Sequence, residues 1–150
     1  MSRPSGPDES RDRRAAMLRT AMGPAIAQAL ADPLVVEVMV NPDGVLRLDR
    51  LGEGRLQTDV SLTPGEGERV IRLVASHMRL EAHANNPIVS AELPHREEGE
   101  AGERFEGLLP PVSTAPCFSI RKPARRVYGL CDYVSDRIMT DAQAAALKKA

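Results

Sequence analysis

A chain of 150 residues is long enough for one domain with a real core. It is 42% apolar but only 3% aromatic and has no Trp, so that core must rest on Val, Leu, Ile, Met and Ala. A formal charge of -1 gives no global attraction to nucleic acid or to an acidic membrane surface, so any anion site has to be local.

In chain order, residues 1–12 (MSRPSGPDESRD) are polar and broken by Pro and Gly, and predict a flexible tail. A helix follows, with Leu18, Met22, Ile26 and Leu30 at four-residue spacing. Pro24 either kinks it or starts a second helix after Gly23, and Pro33 ends it. LVVEVMV is a strand rich in β-branched residues. NPDG then turns the chain, with Pro42 and Asp43 at the central positions and Gly44 where backbone freedom is needed. VLRLDRL returns, GEG turns again, and RLQTDV completes an antiparallel meander of three strands.

Thr63 and Glu66 form a capping box for the next helix, with Pro64 at its first position. Its buried face is expected to carry Val70, Leu73, Val74, His77 and Met78. PIVSAELP is a further strand, and HREEGEAGE reads as a mobile hairpin tip. ERFEGLL and APCFSIRK are two more strands, joined by PPVSTAP. After KPARR comes a linker-like stretch, VYGLCDYVSDRIMT, and a closing helix from about Asp141 capped by Thr140. Helices, a meander, another helix and more strands define an α+β domain, an antiparallel sheet with helices packed against it.

Strand alternation turns Arg104 and Arg121 away from the apolar residues beside them, Phe105 and Leu109 on one strand and Phe118 and Ile120 on the other. An antiparallel hairpin must bring the two apolar faces together, which removes every other register. One surviving register pairs Phe105 with Ile120 and sets Arg104 opposite Arg121. Like charges so placed repel, unless an anion such as phosphate sits between the guanidinium forks. The next permitted register pairs Glu106 with Arg121 in an ordinary surface salt bridge, and spacing alone favours that one.

Other chemistry is absent from the pattern. Cys117 and Cys131 make no CxxC pair and have no histidines at metal spacing, so no metal site is expected, and Cys117 reads as a reduced cytosolic thiol on a strand near the arginines. No apolar run approaches the roughly 20 residues that span a bilayer, and the N-terminus lacks the apolar stretch of an export signal. No Ser-His-Asp, HExxH or EF-hand signature occurs. Neither GEG run leads into GK[ST], and the chain contains no Gly-Lys pair. No catalytic residue is assigned.

Four segments together, DPLVVEVMVNPDGVLRLDRLGEG, NNPIVSAELP, GERFEGLLPPVSTAPCFSIRKPA and LCDYVSDRIMTDAQAAAL, resemble in order the N-terminal domain of the secretion ATPases of conjugative transfer and type IV secretion systems. RFEGLLPPV followed by FSIRKPA is the most specific. The resemblance implies a two-domain homohexameric ring ATPase. Its N-terminal α+β domain covers 13–136 here, and 137–150 are a linker and the start of a RecA-like domain. That second domain carries the P-loop, ATP and magnesium. Arg104 and Arg121 match the arginines that reach the terminal phosphate across the interdomain cleft. Tyr128 falls where the family enters its hinge, near the adenine; simple hinge packing is the other reading.

The resemblance further implies a cytoplasmic protein, peripheral at the inner membrane, that partners the conjugation machinery; no direct nucleic-acid contact is expected. Two departures stand out. The chain stops about where the family begins the strand leading to its P-loop, so it looks truncated and is not expected to hydrolyse ATP alone. HREEGEAGE is also longer and more acidic than the family's tight turn. Two rival readings follow from the residues themselves: a stand-alone protein-interaction module without nucleotide binding, and nucleic-acid binding through RKPARR. Near-neutral charge and scarce aromatics argue against the second.

Overall fold

A computed structural model of the chain describes residues 7–95, 101–124 and 128–149. Its centre is a six-stranded antiparallel sheet in the order β3-β2-β1-β6-β5-β4, formed by β1 (Val35–Val40), β2 (Val45–Arg50), β3 (Gly54–Ser61), β4 (Ile88–Glu92), β5 (Arg104–Leu108) and β6 (Cys117–Arg121). The expected meander is β1-β2-β3. A second meander, β4-β5-β6, joins it because β6 returns to pair with β1, setting Val38 against Ile120 and Val40 against Phe118. The α+β reading holds.

Three helices cover one face: α1 (Pro7–Ala21), α2 (Pro24–Ala31) and α3 (Pro64–His77). Pro24 starts a separate helix rather than kinking one, and Gly23 before it sits at φ 104. The start of α1 departs from expectation. It takes in residues 7–12, which composition assigned to a tail. Proline suits a first helical position, since its missing N–H has no partner to lose there. The remainder of that segment, residues 1–6, and the centre of HREEGEAGE, residues 96–100, lie outside the described residues.

α2 packs on β1 and α3 on β4 and β6, while α1 lies against both other helices. Between them lie Leu18, Met22, Ile26, Val38, Val70, Ile71, Val74, Phe105, Phe118 and Ile120. Both phenylalanines of the chain are spent here, stacked with ring centroids 5.7 Å apart. Gly107 lies on this face because α3 comes close: a Cβ there would stand 2.8 Å from the Phe105 ring and 3.0 Å from Ile71. The buried stripe of α3 is Val70, Ile71, Val74 and Ala75. Leu73 and Met78 are partly buried against the core, and His77 sits at its edge.

The turns follow the sequence closely. Gly44 has φ 79, and a Cβ there would lie 2.3 Å from the Leu62 carbonyl oxygen. Asp43 accepts from Arg47 at 2.7 and 3.0 Å and from the Val45 N–H at 3.0 Å. The Arg47 bonds above all, then the Val45 N–H, lower its pKa to about 2. At α3 the capping box forms in both directions, and the Thr63 N–H and hydroxyl hold the Glu66 carboxyl below its ordinary range. One structural pair was invisible in the sequence. Arg19 on α1 donates to Glu103, at 2.5 Å, and to the Pro94 carbonyl, at 3.2 Å, tying the helix layer to the β4-β5 hairpin.

The described part of VYGLCDYVSDRIMT, from Tyr128 on, is more ordered than its linker-like composition predicted. It contains a short helix, α4 (Leu130–Ser135), which packs on α5 (Asp141–Leu147). α5 begins with the expected Thr140 cap, as a capping box with Gln143.

Candidate functional site

The open face of the sheet is built by the same alternation that fills the core. One cross-strand row on the helix side reads Leu56, Leu48, Val38, Ile120, Phe105 and Ala91 from edge to edge. The adjacent row points the other way and is charged on every strand: Arg55, Asp49, Glu37, Arg121, Arg104 and Glu92. Alternation alone sends one row inward and its neighbour outward.

At the middle of that row Arg104 pairs directly with Arg121, and Phe105 with Ile120. The register is therefore the one that opposes the arginines; Glu106 pairs with Ser119 instead. Side chains directly opposite on neighbouring strands have Cβ atoms about 5 Å apart. Two guanidiniums thus project side by side from a rigid ribbon. Arg104 is 78% exposed, and its Nε lies 3.3 Å from Glu106 Oε1. That contact is long and solvated, so it holds the side chain only weakly. Its other carboxylate oxygen takes a hydrogen bond from the Ser90 hydroxyl. Among the described residues no carboxylate comes within ion-pair distance of Arg121. Glu37 stands opposite it across β1, and Glu92 stands opposite Arg104 across β4.

Tyr128 is brought to the same end of the sheet. It is half exposed and lines a cleft of about 170 Å³ with Pro33, Val35, Val36, Leu51, Lys122 and Pro123. Lys122, the residue after Arg121, donates its Nζ to the Asp32 carbonyl at 2.6 Å and so anchors the cleft wall. The Tyr128 ring lies tilted against Tyr133 of α4, centroids 6.2 Å apart. Arg125 and Arg126 of KPARR lie outside the described residues. Cys117 contacts the Ser113 hydroxyl at 3.3 Å and sits on β6 as the alternation predicted. Among the described residues no group of three or more His, Cys, Asp or Glu side chains could hold a metal ion, and no helix is long and apolar enough to cross a membrane.

Sequence reasoning found both arginines and missed their carboxylate neighbours Glu37 and Glu92. A signal for Glu37 existed. It is the one charge inside LVVEVMV, and a single charge in an apolar strand marks the outward face. Nothing local shows which strand that face will border, because β1 and β6 are far apart in the chain.

No protein-family model matches the chain. It is 44% identical over 133 residues to the conjugal transfer protein TrbB of Rhizobium radiobacter. It is equally identical over the same length to the probable conjugal transfer protein TrbB of Sinorhizobium fredii. Each match takes in 89% of this chain and 39% of the relative, so the chain spans well under half the length of these proteins. Among solved structures, the fold matches the VirB11 ATPase of the Brucella suis type IV secretion system, crystallised with sulphate. The TM-score is 0.67 at 25% identity, over 90% of this chain and 39% of that one.

Proposed function

We propose that this chain, whose sequence and fold are those of a TrbB-type N-terminal domain, senses the terminal phosphate of ATP for a conjugative transfer ATPase. In this reading a RecA-like C-terminal domain holds the nucleotide and its magnesium, and the open face of the sheet closes over it. Arg104 and Arg121 take the γ-phosphate oxygens between their guanidinium forks, a geometry that planar arginine suits better than lysine. Charge that builds on the phosphoryl oxygens in the transition state is then met by positive groups already in place. No step is assigned to a metal held by the described residues. Tyr128 closes the apolar cleft beside the hinge, against the adenine. Residues from 137 onward lead into the second domain.

The observation that carries this reading is the Arg104–Arg121 register: two like charges directly opposite on the exposed face. A fold gains nothing from that arrangement, since opposed like charges destabilise a sheet. An anion between them removes the conflict. The sulphate in the VirB11 crystal belongs to that protein, and lends the reading support as an anion of phosphate shape and charge.

The wider assignment extends the family resemblance read in the sequence. The whole protein assembles as a homohexamer, works in the cytoplasm at the inner membrane, and drives the conjugation machinery. The direct test is kinetic. In a full-length TrbB relative, the substitution corresponding to Arg121→Ala should lower kcat by roughly 10- to 100-fold, the loss of one charge-assisted contact of about 1.5–3 kcal/mol. The domain should keep its melting temperature. Unchanged kinetics would remove the arginine from the mechanism.

A further inference from the structure

We infer that Glu37 and Glu106 act as built-in counter-charges to the arginine pair, holding its affinity for free phosphate low so that it answers to phosphate presented on a bound nucleotide. The inference rests on the reading of Arg104 and Arg121 as phosphate ligands and adds the groups that regulate them.

Glu37 is the cross-strand neighbour of Arg121 on β1, Glu92 that of Arg104 on β4, and Glu106 contacts Arg104 Nε at 3.3 Å. Two guanidiniums therefore stand among three carboxylates on one exposed face. The carboxylates outnumber the guanidiniums by one before any ligand arrives. Glu92 is in part committed elsewhere, since it accepts the Gly102 N–H at 2.9 Å. Glu37 and Glu106 are the carboxylates positioned to bear on an anion seated between the arginines. Glu106 is fixed from behind by the Ser90 hydroxyl, which keeps its charge near Arg104. Among the described residues its contact uses only Nε, so no described carboxylate takes the Nη edge of Arg104, the edge that forks onto phosphate.

An anion entering alone meets two attractions at close range and the repulsion of these carboxylates from one strand beyond and from two residues along β5. A unit charge about 7 Å away, the spacing set by neighbouring strands and alternate residues, changes affinity in water by about three-fold. A γ-phosphate held by a second domain arrives at far higher effective concentration and overcomes the same repulsion. The carboxylates thus separate two sources of one chemistry, free inorganic phosphate and the phosphate of a bound nucleotide.

The test is binding of inorganic phosphate to the 150-residue chain at low ionic strength, followed by NMR at the arginine Nε–H resonances. Glu37→Gln and Glu106→Gln keep size and hydrogen bonding and remove the charge. Each should tighten phosphate binding about three-fold over the parent. Adding Arg121→Ala to either should abolish the gain, and circular dichroism should show every variant folded. Affinity that stays level or falls in both Gln variants, with binding still lost on Arg121→Ala, overturns the counter-charge inference and leaves the arginine reading standing. A gain that survives without Arg121 overturns both. In the full-length enzyme, Glu106→Gln should also raise sensitivity to inhibition by free phosphate; unaltered inhibition counts against the inference.

Discussion

Arg19 is the residue whose removal should cost this fold most. Its side chain is 6% exposed and that of Glu103 is 9% exposed, so the pair sits in the interior with the Pro94 carbonyl as a third partner. Breaking such a pair leaves one charge buried without compensation. Arg19→Ala should lower unfolding free energy in urea by about 3–5 kcal/mol, and Arg19→Met with Glu103→Leu should recover most of the loss. A single variant that unfolds at the parent's midpoint would show the pair to be solvated. At the other extreme is the exposed Arg104–Glu106 contact, whose removal should leave stability within about 0.5 kcal/mol. The fold therefore depends on an arginine that no motif contains, while Arg104, which the most specific motif does contain, carries little structural duty. Chain reading could find Arg104 and Arg121 because each is framed by apolar neighbours that fix its direction. Arg19 is a lone charge between Leu18 and Thr20 with no motif around it, and only the packed helix layer shows that it turns inward.

Elements differ in how far local chemistry decides them. The NPDG turn and the cap of α3 were legible because every bond in them closes within a few residues. The turn carries a pH signature. Arg47 holds the Asp43 pKa near 2, against 3.8 unperturbed. Because folding lowers this pKa, the bond stabilises the fold above pH 3.8 and its contribution disappears as pH falls through about 2. The Asp43 carboxyl resonance should accordingly titrate near 2, and in Arg47→Ala should move up toward 3.8. Thr63→Ala should cost about 1 kcal/mol in thermal or urea unfolding, the ordinary worth of such a cap. The β5-β6 hairpin was legible only in part. Alternation reduced its registers to two, and the charges pointed to the wrong one, Glu106 opposite Arg121. Core packing decides the matter: Phe105 against Ile120 lets the Phe105 and Phe118 rings stack across Gly107, where α3 closes down. The surface charges take whatever places that leaves them. The helix at Leu130–Ser135 escaped notice because it buries none of its residues and so has no apolar stripe to read.

At the scale of the whole molecule the deciding feature is the β1-β6 pairing, which fuses two meanders into one sheet and brings Glu37 beside Arg121. No local signal specifies contacts so distant in sequence, and the charged row across six strands was out of reach until the strand order was known. The helices take one face of that sheet and leave the other with a row of alternating clusters of charge. Such a face is costly as decoration and useful as a surface that closes on a charged ligand. The account thus turns on one claim, that Arg104 and Arg121 hold the same phosphate. A double-mutant cycle on kcat for ATP hydrolysis, made in a full-length TrbB relative with both arginines changed to Ala singly and together, tests it most directly. Residues that grip one group are coupled, so the double variant should lose much less than the product of the two single losses, with an interaction energy above about 1 kcal/mol. Losses that simply multiply would mean that the two arginines act at separate places, and the shared phosphate site would be wrong.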